Sequence, residues 1–351
     1  MDKTLIDISN KLIHFNCLSV NEYEFLISNY NIKIANILAQ SALLIRKKIY
    51  GNKIFIRGLI EISNICKNDC LYCGIRHSNK NCDRYRLSCD QIIKCTDKGY
   101  DLGFRTFVFQ GGEDPFFTDE ILCPMIKKIK QTHPDCAITL SLGERSKKSY
   151  QNLFNAGADR YLLRHETADK NHYYMLHPKE MSFENRITCL KNLKEIGYAV
   201  GCGFMVGSPY QTPYNIAQDL KFIETFKPDM CGIGPFIPQH DTPFGNMLPG
   251  TVEQTCYLLS IIRLISPNIL LPATTALGTI DPLGREKGIL SGANVLMPNL
   301  SPLSVRKKYE LYDNKICTKE ESAENKDILI KKMESIGYKI VIDRGDKKIL
   351  N

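Results

Sequence analysis

The sequence predicts an α/β fold, namely a complete (β/α)8 TIM barrel with an N-terminal helical extension. After residue 50, short β-rich runs alternate with longer amphipathic segments eight times over about 250 residues, the usual length of such a barrel. The β-rich runs are apolar, as parallel strands buried on both faces are. The same alternation allows an open doubly wound sheet as the alternative. We expect the helical extension over residues 1–50, the barrel over 51–305 and a C-terminal segment over 306–351 that closes the barrel.

The individual elements follow from local periodicity and from residues that begin or end helices. Residues 1–50 read as helical because apolar residues between Glu22 and Tyr50 recur at intervals of three and four. The predicted strands span residues 54–62, 106–110, 137–141, 160–163, 199–204, 230–234, 270–275 and 294–297. The predicted helices between them include residues 89–102, 119–131, 147–156, 183–196, 214–226 and 252–265. Pro213 suits the first turn of its helix.

Composition excludes several classes of protein. The chain has 351 residues, 43% of them apolar, and no stretch approaches the roughly 20 apolar residues that span a bilayer. Its first residues lack the features of a secretory signal. The net charge of +8 comes from scattered lysines without a basic stripe or any Trp, so we expect no nucleic-acid binding. We therefore expect a cytoplasmic protein with no membrane contact, whose fourteen cysteines are mostly reduced thiols in the core.

Polar and glycine residues cluster where the predicted strands end. Barrel enzymes place their chemistry at the carboxyl ends of the strands, so we expect the site there. The residues at these ends are Cys66, Cys70, Cys73, Gln110, Gly111, Gly112, Glu113, Ser141, Glu144, Arg164, His165, Glu166, Thr167, Thr274, Thr275, Pro298 and Asn299.

The three closely spaced cysteines after the first strand point to a metal centre. Cys66, Cys70 and Cys73 follow the pattern Cys-x3-Cys-x2-Cys within one mostly polar loop. Short spacings of this kind are typical of iron–sulfur clusters, and three thiolates on four irons leave one iron open. Structural zinc is the alternative, but it usually takes four ligands, and only His77 and Cys82 lie near enough to supply a fourth. The pattern favours a 4Fe-4S cluster.

The aromatic Tyr72 directly before Cys73 makes the motif similar to the signature of the radical S-adenosylmethionine (SAM) superfamily. The resemblance implies that SAM chelates the open iron. It further implies that one electron cleaves the sulfonium to give a 5'-deoxyadenosyl radical, which abstracts hydrogen from a substrate.

Longer segments narrow the resemblance. The chain is similar to FeFe-hydrogenase maturases of the HydE type from about residue 30 to residue 317, with biotin synthase and 3-methylornithine synthase as relatives on the same fold. The segments that carry the likeness are IRGLIEISN (56–64), CLYCGIR (70–76), QGGEDP (110–115), LRHETA (163–168), FENR (183–186), GIGPFIP (232–238), PATTA (272–276) and NVLMPN (294–299).

The resemblance implies roles for individual residues. The turn containing Gln110, Gly111, Gly112 and Glu113 would lie against the SAM amino group, although its glycines also suit a plain tight turn. Glu166 would accept hydrogen bonds from the ribose hydroxyls, with a solvated acid as the alternative. Arg186 would pair with the SAM carboxylate through its guanidinium fork, with a position on the helix face as the alternative. The remaining cofactor positions would be Tyr72, Met230 near the adenine and Tyr309 on the far side of the site.

The substrate side is expected to be polar. Arg164 would face the interior and bind a substrate carboxylate or a metal-bound ligand, because a buried cation needs an anionic partner. Ser141, Thr274 and Thr275 would offer hydroxyls across the same cavity. His165 is expected to point the other way, as a core histidine. A complete second cluster is not expected, because only Cys317 stands where some relatives have three cysteines, and Asn325 and Ile328 occupy the later positions.

The resemblance implies a radical enzyme that helps to build the diiron cofactor of FeFe hydrogenase. The radical would attack sulfur of a cysteine-bound iron carbonyl–cyanide precursor made by a partner maturase, with contacts to other maturation proteins and to an electron donor. The alternatives are an amino-acid mutase of the 3-methylornithine synthase type and a non-catalytic iron–sulfur carrier. Biotin synthesis is weaker, because Ser141 and Arg164 stand where cysteine ligands of an auxiliary cluster would be needed.

Overall fold

Three helices form the start of the chain in the computed structural model, which describes residues 3–316 and 322–349. They are α1 (Lys3–Phe15), α2 (Val20–Ser28) and α3 (Ile32–Tyr50). Ser19 and Glu22 form a capping box that fixes the start of α2. The apolar faces of these helices belong to the main core, and Tyr23 on α2 donates to Glu224 over 2.8 Å. The extension is thus packed onto the rest of the fold.

A parallel sheet of six strands forms the centre of the molecule. In spatial order its strands are β2 (Gly58–Ser63), β3 (Thr106–Gly111), β4 (Ala137–Ser141), β5 (Arg160–Leu162), β6 (Ala199–Cys202) and β8 (Met230–Cys231). Every neighbouring pair is parallel, so all the carboxyl ends lie at one edge. Nearly all residues of these strands are buried, which confirms the predicted α/β class.

The shorter strands form two further parallel groups. They are β1 (Lys53–Ile56), β10 (Val295–Leu296) and β11 (Lys339–Val341) in one, and β7 (Met205–Val206) with β9 (Gly234–Pro235) in the other. Single parallel bridges join Met230 to Leu270, Pro272 to Val295 and Leu59 to Asn299. The structure thus shows the parallel sheet plainly, while closure of all eight units into a complete barrel stays a prediction.

Several predicted strands are divided or shortened in the structure, among them the one over 230–234, whose residues fall in β8 and β9. The strand predicted over 54–62 divides at Arg57 into β1 and β2. The strand predicted over 270–275 is reduced to the bridges at Leu270 and Pro272, and a helix begins at Thr275. Proline has no backbone N–H for a ladder, which explains why pairing there is limited to isolated bridges.

Helices follow the strands in alternation. They are α4 (Cys89–Asp101), α5 (Asp119–Thr132), α6 (Lys147–Ala156), α7 (Lys170–Leu176), α8 (Phe183–Ile196), α9 (Pro213–Phe226), α10 (Val252–Ile265), α11 (Thr275–Ile280), α12 (Gly284–Ile289), α13 (Leu303–Arg306) and α14 (Lys326–Ser335). A 3-10 turn, Ala323–Asn325, precedes α14. Gly157 and Gly197 end α6 and α8 in the left-handed conformation that glycine adopts without strain. Pro213 occupies the first turn of α9 as predicted. Within the described ranges, no helix is both long and apolar enough to cross a membrane.

The C-terminal tail packs against the amino ends of the central strands. Asp346 accepts a 2.6 Å hydrogen bond from Arg160, whose side chain is only 5% exposed. The Arg344 carbonyl accepts from Thr106 and from Arg160, and the Arg344 guanidinium lies 3.1 Å from Asp159. The tail therefore supplies the counter-charge for an arginine buried at the start of β5.

We predict that Asp346→Asn lowers the free energy of unfolding by about 1 kcal/mol. It removes the anionic partner of a buried guanidinium, but the Asp346 side chain is itself 58% exposed, so water screens the pair. Burial raises the pKa of Asp346, but the bonds from Arg160 and Arg344 outweigh it, so the pKa lies below its ordinary value of 3.8. The stabilisation is thus complete above that value and is lost as the pH falls through the lower folded pKa. Urea unfolding at several pH values measures this.

The matched control is Glu195→Gln, which alters the exposed Lys147–Glu195 pair and should change stability by less than about 0.5 kcal/mol. Equal effects of the two amide substitutions at neutral pH would contradict the role assigned to Asp346.

Candidate functional site

The cysteine loop between β2 and α4 is held by one arginine. Arg84 donates from its two terminal nitrogens to four backbone carbonyls at 2.6–3.0 Å, those of Asn64, Ile75, Arg76 and Asn79. Asp69 adds a second brace, because it accepts from Arg76 at 2.7 Å and from the Ser78 amide at 3.0 Å. A loop with little regular structure needs such partners for its carbonyls. The loop is therefore ordered by its own side chains.

The three motif thiols lie in this loop, partly buried and in electrostatic contact with one another. Burial, reinforced by the neighbouring Cys66, raises the pKa of Cys73 to about 12. Burial also raises the pKa of Cys66. Burial, together with the neighbouring sulfurs of Cys73 and Cys66, raises the pKa of Cys70 well above its ordinary value. Three thiols crowded in this way resist ionisation unless a cation binds them, so the donor set fits a thiolate-bound metal centre.

The arrangement suits a cluster better than a single ion. Among the described residues, no group of three or more His, Cys, Asp or Glu side chains converges to hold one metal ion. A cubane does not need such convergence, because each thiolate binds a different iron. Cys82 lies near enough to Cys73 to contribute to its pKa, but its thiol accepts a weak 3.5 Å contact from Asn64 and lines a separate surface pocket of about 400 Å³.

The glycine turn after β3 lies directly against the cysteine loop. A Cβ atom on Gly112 would come within 2.3 Å of the Ile65 carbonyl oxygen and 2.7 Å of the Cys66 Cβ, whereas one on Gly111 would meet nothing nearer than 3.3 Å. The next amide, that of Glu113, donates to the Cys66 sulfur at 3.3 Å. Gly112 is therefore required by the close approach of two loops, a structural reason that does not exclude contact with a ligand.

Glu166 occupies a strained position at the end of β5. Its φ is +64°, in the left-handed region, which costs a non-glycine residue about 1–2 kcal/mol. The residue is 8% exposed, and its Oε2 lies 3.2 Å from Arg164 Nη2. The two groups are close but poorly aligned, because neither atom has a hydrogen-bond partner within the part of the chain that the structure describes. Strain and an unsatisfied buried carboxylate oxygen together indicate a ligand-binding residue.

Arg186, in the first turn of α8, joins three segments of the site. Its Nε donates to Glu144 at 2.5 Å, its Nη1 donates to the Arg164 carbonyl at 2.8 Å, and its Nη2 lies 4.0 Å from Glu113. Glu113 in turn accepts from the Glu144 amide at 2.9 Å. The predicted cofactor residues Glu113, Glu166 and Arg186 are thus brought together, and Glu144 is the additional residue that links them.

Tyr72 is fixed by a histidine on the far side of the loop. Its hydroxyl lies 3.1 Å from His177 Nε2, and His177 Nδ1 lies 2.9 Å from the Tyr173 carbonyl. Burial lowers the pKa of His177 to about 3, so the ring is neutral at ordinary pH. Nδ1 therefore carries the proton and donates to the carbonyl, and the Tyr72 hydroxyl donates to Nε2. Sequence reasoning missed His177, which lies more than a hundred residues from its partner.

Gln110 and Tyr309 meet through a long side-chain hydrogen bond of 3.4 Å. Beside them lies a buried ion pair that the sequence analysis missed: Lys315 binds Glu61, and Glu61 also accepts from Asn299 at 2.9 Å. Glu61 lies in a mostly apolar predicted strand. Because a buried charge requires a partner, this residue could have indicated a buried ion pair.

The remaining predicted substrate residues separate into two groups. Ser141 ends β4 opposite Gln110 at the carboxyl edge, and the buried Thr274 Oγ1 has no hydrogen-bond partner within residues 3–316 and 322–349. Thr275 instead begins α11, where its carbonyl accepts from Thr279 and its hydroxyl lies 3.5 Å from Arg285. The structure thus brings Ser141 and Thr274 toward the site, but it turns Thr275 into the helix.

Met230 lies beside a small cavity near the amino ends of the strands. The residue begins β8, and its sulfur lies 2.7 Å from Arg57 Nη1 in a cavity lined by Arg160, Leu270 and Asp346. The sequence pattern did not show at which end of its strand Met230 would lie, and its contact with adenine stays a prediction.

Two further predictions concern residues outside the site. His165 points away from it as expected, fully buried against Asp219. Cys317, on which the prediction about a second cluster partly depends, lies outside the described residues. Asn325 ends a 3-10 turn, and Ile328 is an exposed residue of α14.

The chain is similar to known proteins over most of its length. The model of the radical SAM superfamily matches residues 60–223. The chain is 44% identical over 304 residues to the FeFe hydrogenase maturase subunit HydE of Thermotoga maritima, covering 87% of this chain and 86% of that protein. It is 27% identical over 295 residues to 3-methylornithine synthase of Methanosarcina acetivorans, covering 84% and 82% of the two chains.

Solved structures show the same architecture. The crystal structure of methylornithine synthase superposes with a TM-score of 0.82 at 25% identity, covering 95% of this chain and 97% of that one. The crystal structure of HydG, a maturase of the FeFe hydrogenase, gives a TM-score of 0.79 at 21% identity over 97% of this chain and 76% of that one, which supports the fold alone.

We predict that Gly112→Ala displaces the cysteine loop and reduces iron loading, because the added methyl group overlaps backbone atoms beside Cys66. Gly111→Ala is the matched control and should keep most of its iron. Iron and sulfide per chain, measured after anaerobic reconstitution, test the difference, while circular dichroism verifies that both variants fold. Equal loading of the two variants would refute the close contact between the turn and the loop.

Proposed function

The chain belongs to the radical SAM superfamily and, within it, to the family of the FeFe hydrogenase maturase HydE, and from this membership we propose that it acts in maturation of the hydrogenase diiron site. It is a radical SAM enzyme. A 4Fe-4S cluster bound here would supply the electron that cleaves SAM to a 5'-deoxyadenosyl radical. The observation that carries the proposal is the meeting of the cysteine loop with Glu113, Glu166 and Arg186 at one edge of the sheet.

Cys66, Cys70 and Cys73 would hold the cluster. Their loop is already braced by Arg84, so metal binding would not have to order a mobile segment. The Glu113 amide, which donates to the Cys66 sulfur, would lower the electron density on that thiolate. We propose no complete second cluster, because the later cysteine positions of some relatives are Asn325 and Ile328 here.

Charged groups at the same edge would recognise SAM. Glu166 would accept from the ribose hydroxyls with its unsatisfied oxygen, and Arg186 would contact the SAM carboxylate with Nη2, which lies 4.0 Å from Glu113. The turn of Gln110, Gly111, Gly112 and Glu113 would face the amino group, and Tyr72 and Tyr309 would border the site. Hydrogen bonds to charged groups are the stronger kind, so these residues would dominate SAM affinity.

The substrate would bind beside SAM, toward the interior. Arg164 Nε and Nη2 lack hydrogen-bond partners among the residues that the structure describes, and the same holds for Thr274 Oγ1. A guanidinium whose ion pair with Glu166 is poorly aligned suits an anionic group, such as the carboxylate of a cysteine bound to iron or a metal-bound cyanide. Ser141 and Thr275 would add hydroxyls across the same cavity. A complete (β/α)8 barrel would keep water away from the radical.

An amino-acid mutase is the second candidate, because methylornithine synthase shares the fold over nearly the whole chain. An amino-acid carboxylate would also suit Arg164.

For the leading candidate we propose transient contact with other hydrogenase maturation proteins and an electron donor in the cytoplasm. A non-catalytic iron–sulfur carrier is disfavoured because it would not need polar residues for binding a nucleoside, such as Glu166 and Arg186.

The deciding experiment is anaerobic reconstitution with iron and sulfide, followed by dithionite and SAM. We expect 5'-deoxyadenosine, measured by liquid chromatography, and its formation should increase with a cysteine-bound iron carbonyl–cyanide complex but not with lysine. Increased turnover with lysine would instead establish the mutase. Cluster loading without any 5'-deoxyadenosine would identify a carrier.

We predict that Cys70→Ala abolishes the charge-transfer absorption of the cluster and lowers the bound iron by more than about tenfold, because a thiolate ligand cannot be replaced by a methyl group. Cys82→Ala is the matched control, since Cys82 lies in the same loop region but outside the motif, and it should retain iron. If Cys82→Ala lost iron as completely as Cys70→Ala, a four-thiolate site would replace the three-thiolate proposal.

A further inference from the structure

The strained turn that presents Glu166 is fastened to the neighbouring strand at two points. The Glu166 amide donates to the Gly203 carbonyl at 3.0 Å, and the Gly203 amide approaches His165 Nδ1 at 3.3 Å. Gly203 must be glycine, because a Cβ there would lie 2.0 Å from the Gly232 carbonyl oxygen. The turn therefore exchanges one hydrogen bond in each direction with the residue that follows β6.

A single carboxylate on α9 holds the turn from behind. Asp219 Oδ1 accepts a 2.5 Å hydrogen bond from the Ala168 amide and lies 3.2 Å from His165 Nε2. These two partners stand on either side of Glu166 in the chain, one residue before it and two residues after it. Asp219 thus spans the left-handed residue and restrains both of its flanks.

The hydrogen bonds define the protonation of the histidine. Since Nδ1 accepts from the Gly203 amide, Nε2 carries the proton and donates to Asp219. Both side chains are 0% exposed, and Asp219 Oδ2 has no hydrogen-bond partner in the two described stretches of chain. Burying a carboxylate with one oxygen unsatisfied is unfavourable, and an apolar pair would pack there at lower cost. The unfavourable burial of Asp219 is explained if the aspartate is needed to hold the turn that carries Glu166.

We propose that Asp219, acting through His165 and the Ala168 amide, is a positioning residue that keeps Glu166 in its left-handed conformation and directs its carboxylate at the ribose of bound SAM. This inference rests on the proposed function, because it assumes that Glu166 binds SAM. Asp219 itself lies on α9, buried beside His165 and the Ala168 amide, and is not proposed to contact SAM.

The test is a double-mutant cycle on the iron-loaded protein, with SAM affinity measured by anaerobic calorimetry. Glu166→Gln should weaken SAM binding about 10- to 100-fold, as expected for losing a hydrogen bond to a charged group. Asp219→Leu, which removes both accepted bonds and keeps the branched shape of the side chain, should weaken it about tenfold. In the Glu166→Gln background, Asp219→Leu should add less than about twofold, because residues that act as a unit are not additive.

Asp219→Asn is the second variant in case the leucine variant fails to fold. It keeps an acceptor oxygen for His165 and Ala168, so it should retain affinity within about threefold and thereby rescue most of the loss. Ile216→Val, a buried change on the same helix away from the turn, is the control for general destabilisation and should leave SAM affinity unchanged. Iron content and thermal stability are recorded for every variant.

The outcomes separate the two proposals. If wild-type protein loads iron but does not bind SAM, the proposed function fails. If wild type binds SAM and Glu166→Gln weakens it, while Asp219→Leu has no effect or the same effect in both backgrounds, the positioning role is overturned and the function stands. Unchanged affinity in Glu166→Gln would overturn both the ribose role and the inference.

Discussion

The Arg84 guanidinium is the interaction on which the candidate site depends. The segment that carries the three motif cysteines has little regular secondary structure, so its carbonyls need partners from elsewhere, and Arg84 provides four hydrogen bonds from one side chain. Arginine suits this role because its planar fork presents several donors in fixed directions while remaining charged. The sulfurs of Cys66 and Cys73 are thereby held in place by the protein itself, and the glycine turn can pack against a defined surface.

Parallel strands then bring separate stretches of sequence to the same edge. The turn after β3 contacts the cysteine loop through Gly112, and the segment after β5 carries Arg164 and Glu166 toward the same region. Arg186 comes from a helix rather than a strand end, yet its bond to the Arg164 carbonyl ties it to the β5 turn. The contact at Gly112 joins loops that follow the neighbouring strands β2 and β3, and the Arg186 bond joins residues 22 positions apart. The strand order therefore brings most of the site residues together, and hydrogen bonds made by side chains fix their final positions.

The sequence was sufficient where a pattern is local and repeats. Alternating apolar runs and amphipathic segments predicted the parallel α/β fold, and the cysteine spacing with its preceding tyrosine predicted the superfamily that the comparisons confirm. It was insufficient where the partner is remote. Nothing in the local pattern pairs Glu61 with Lys315, and nothing shows which end of a two-residue strand Met230 would occupy. Such facts depend on register and packing, which one sequence does not display.

The charges of the site largely compensate one another before any ligand binds. Arg186 is paired with Glu144 and lies near Glu113, and Arg164 lies beside Glu166. A zwitterionic ligand such as the amino-acid part of SAM would therefore have to share these partners or replace them. The binding free energy would then be a small difference between large favourable electrostatic and unfavourable desolvation contributions. When this difference is small, the affinity for SAM depends on how accurately each charged side chain is oriented. Such a requirement would explain why a carboxylate in a strained conformation has a backbone restrained by hydrogen bonds with the fully buried His165 and Asp219.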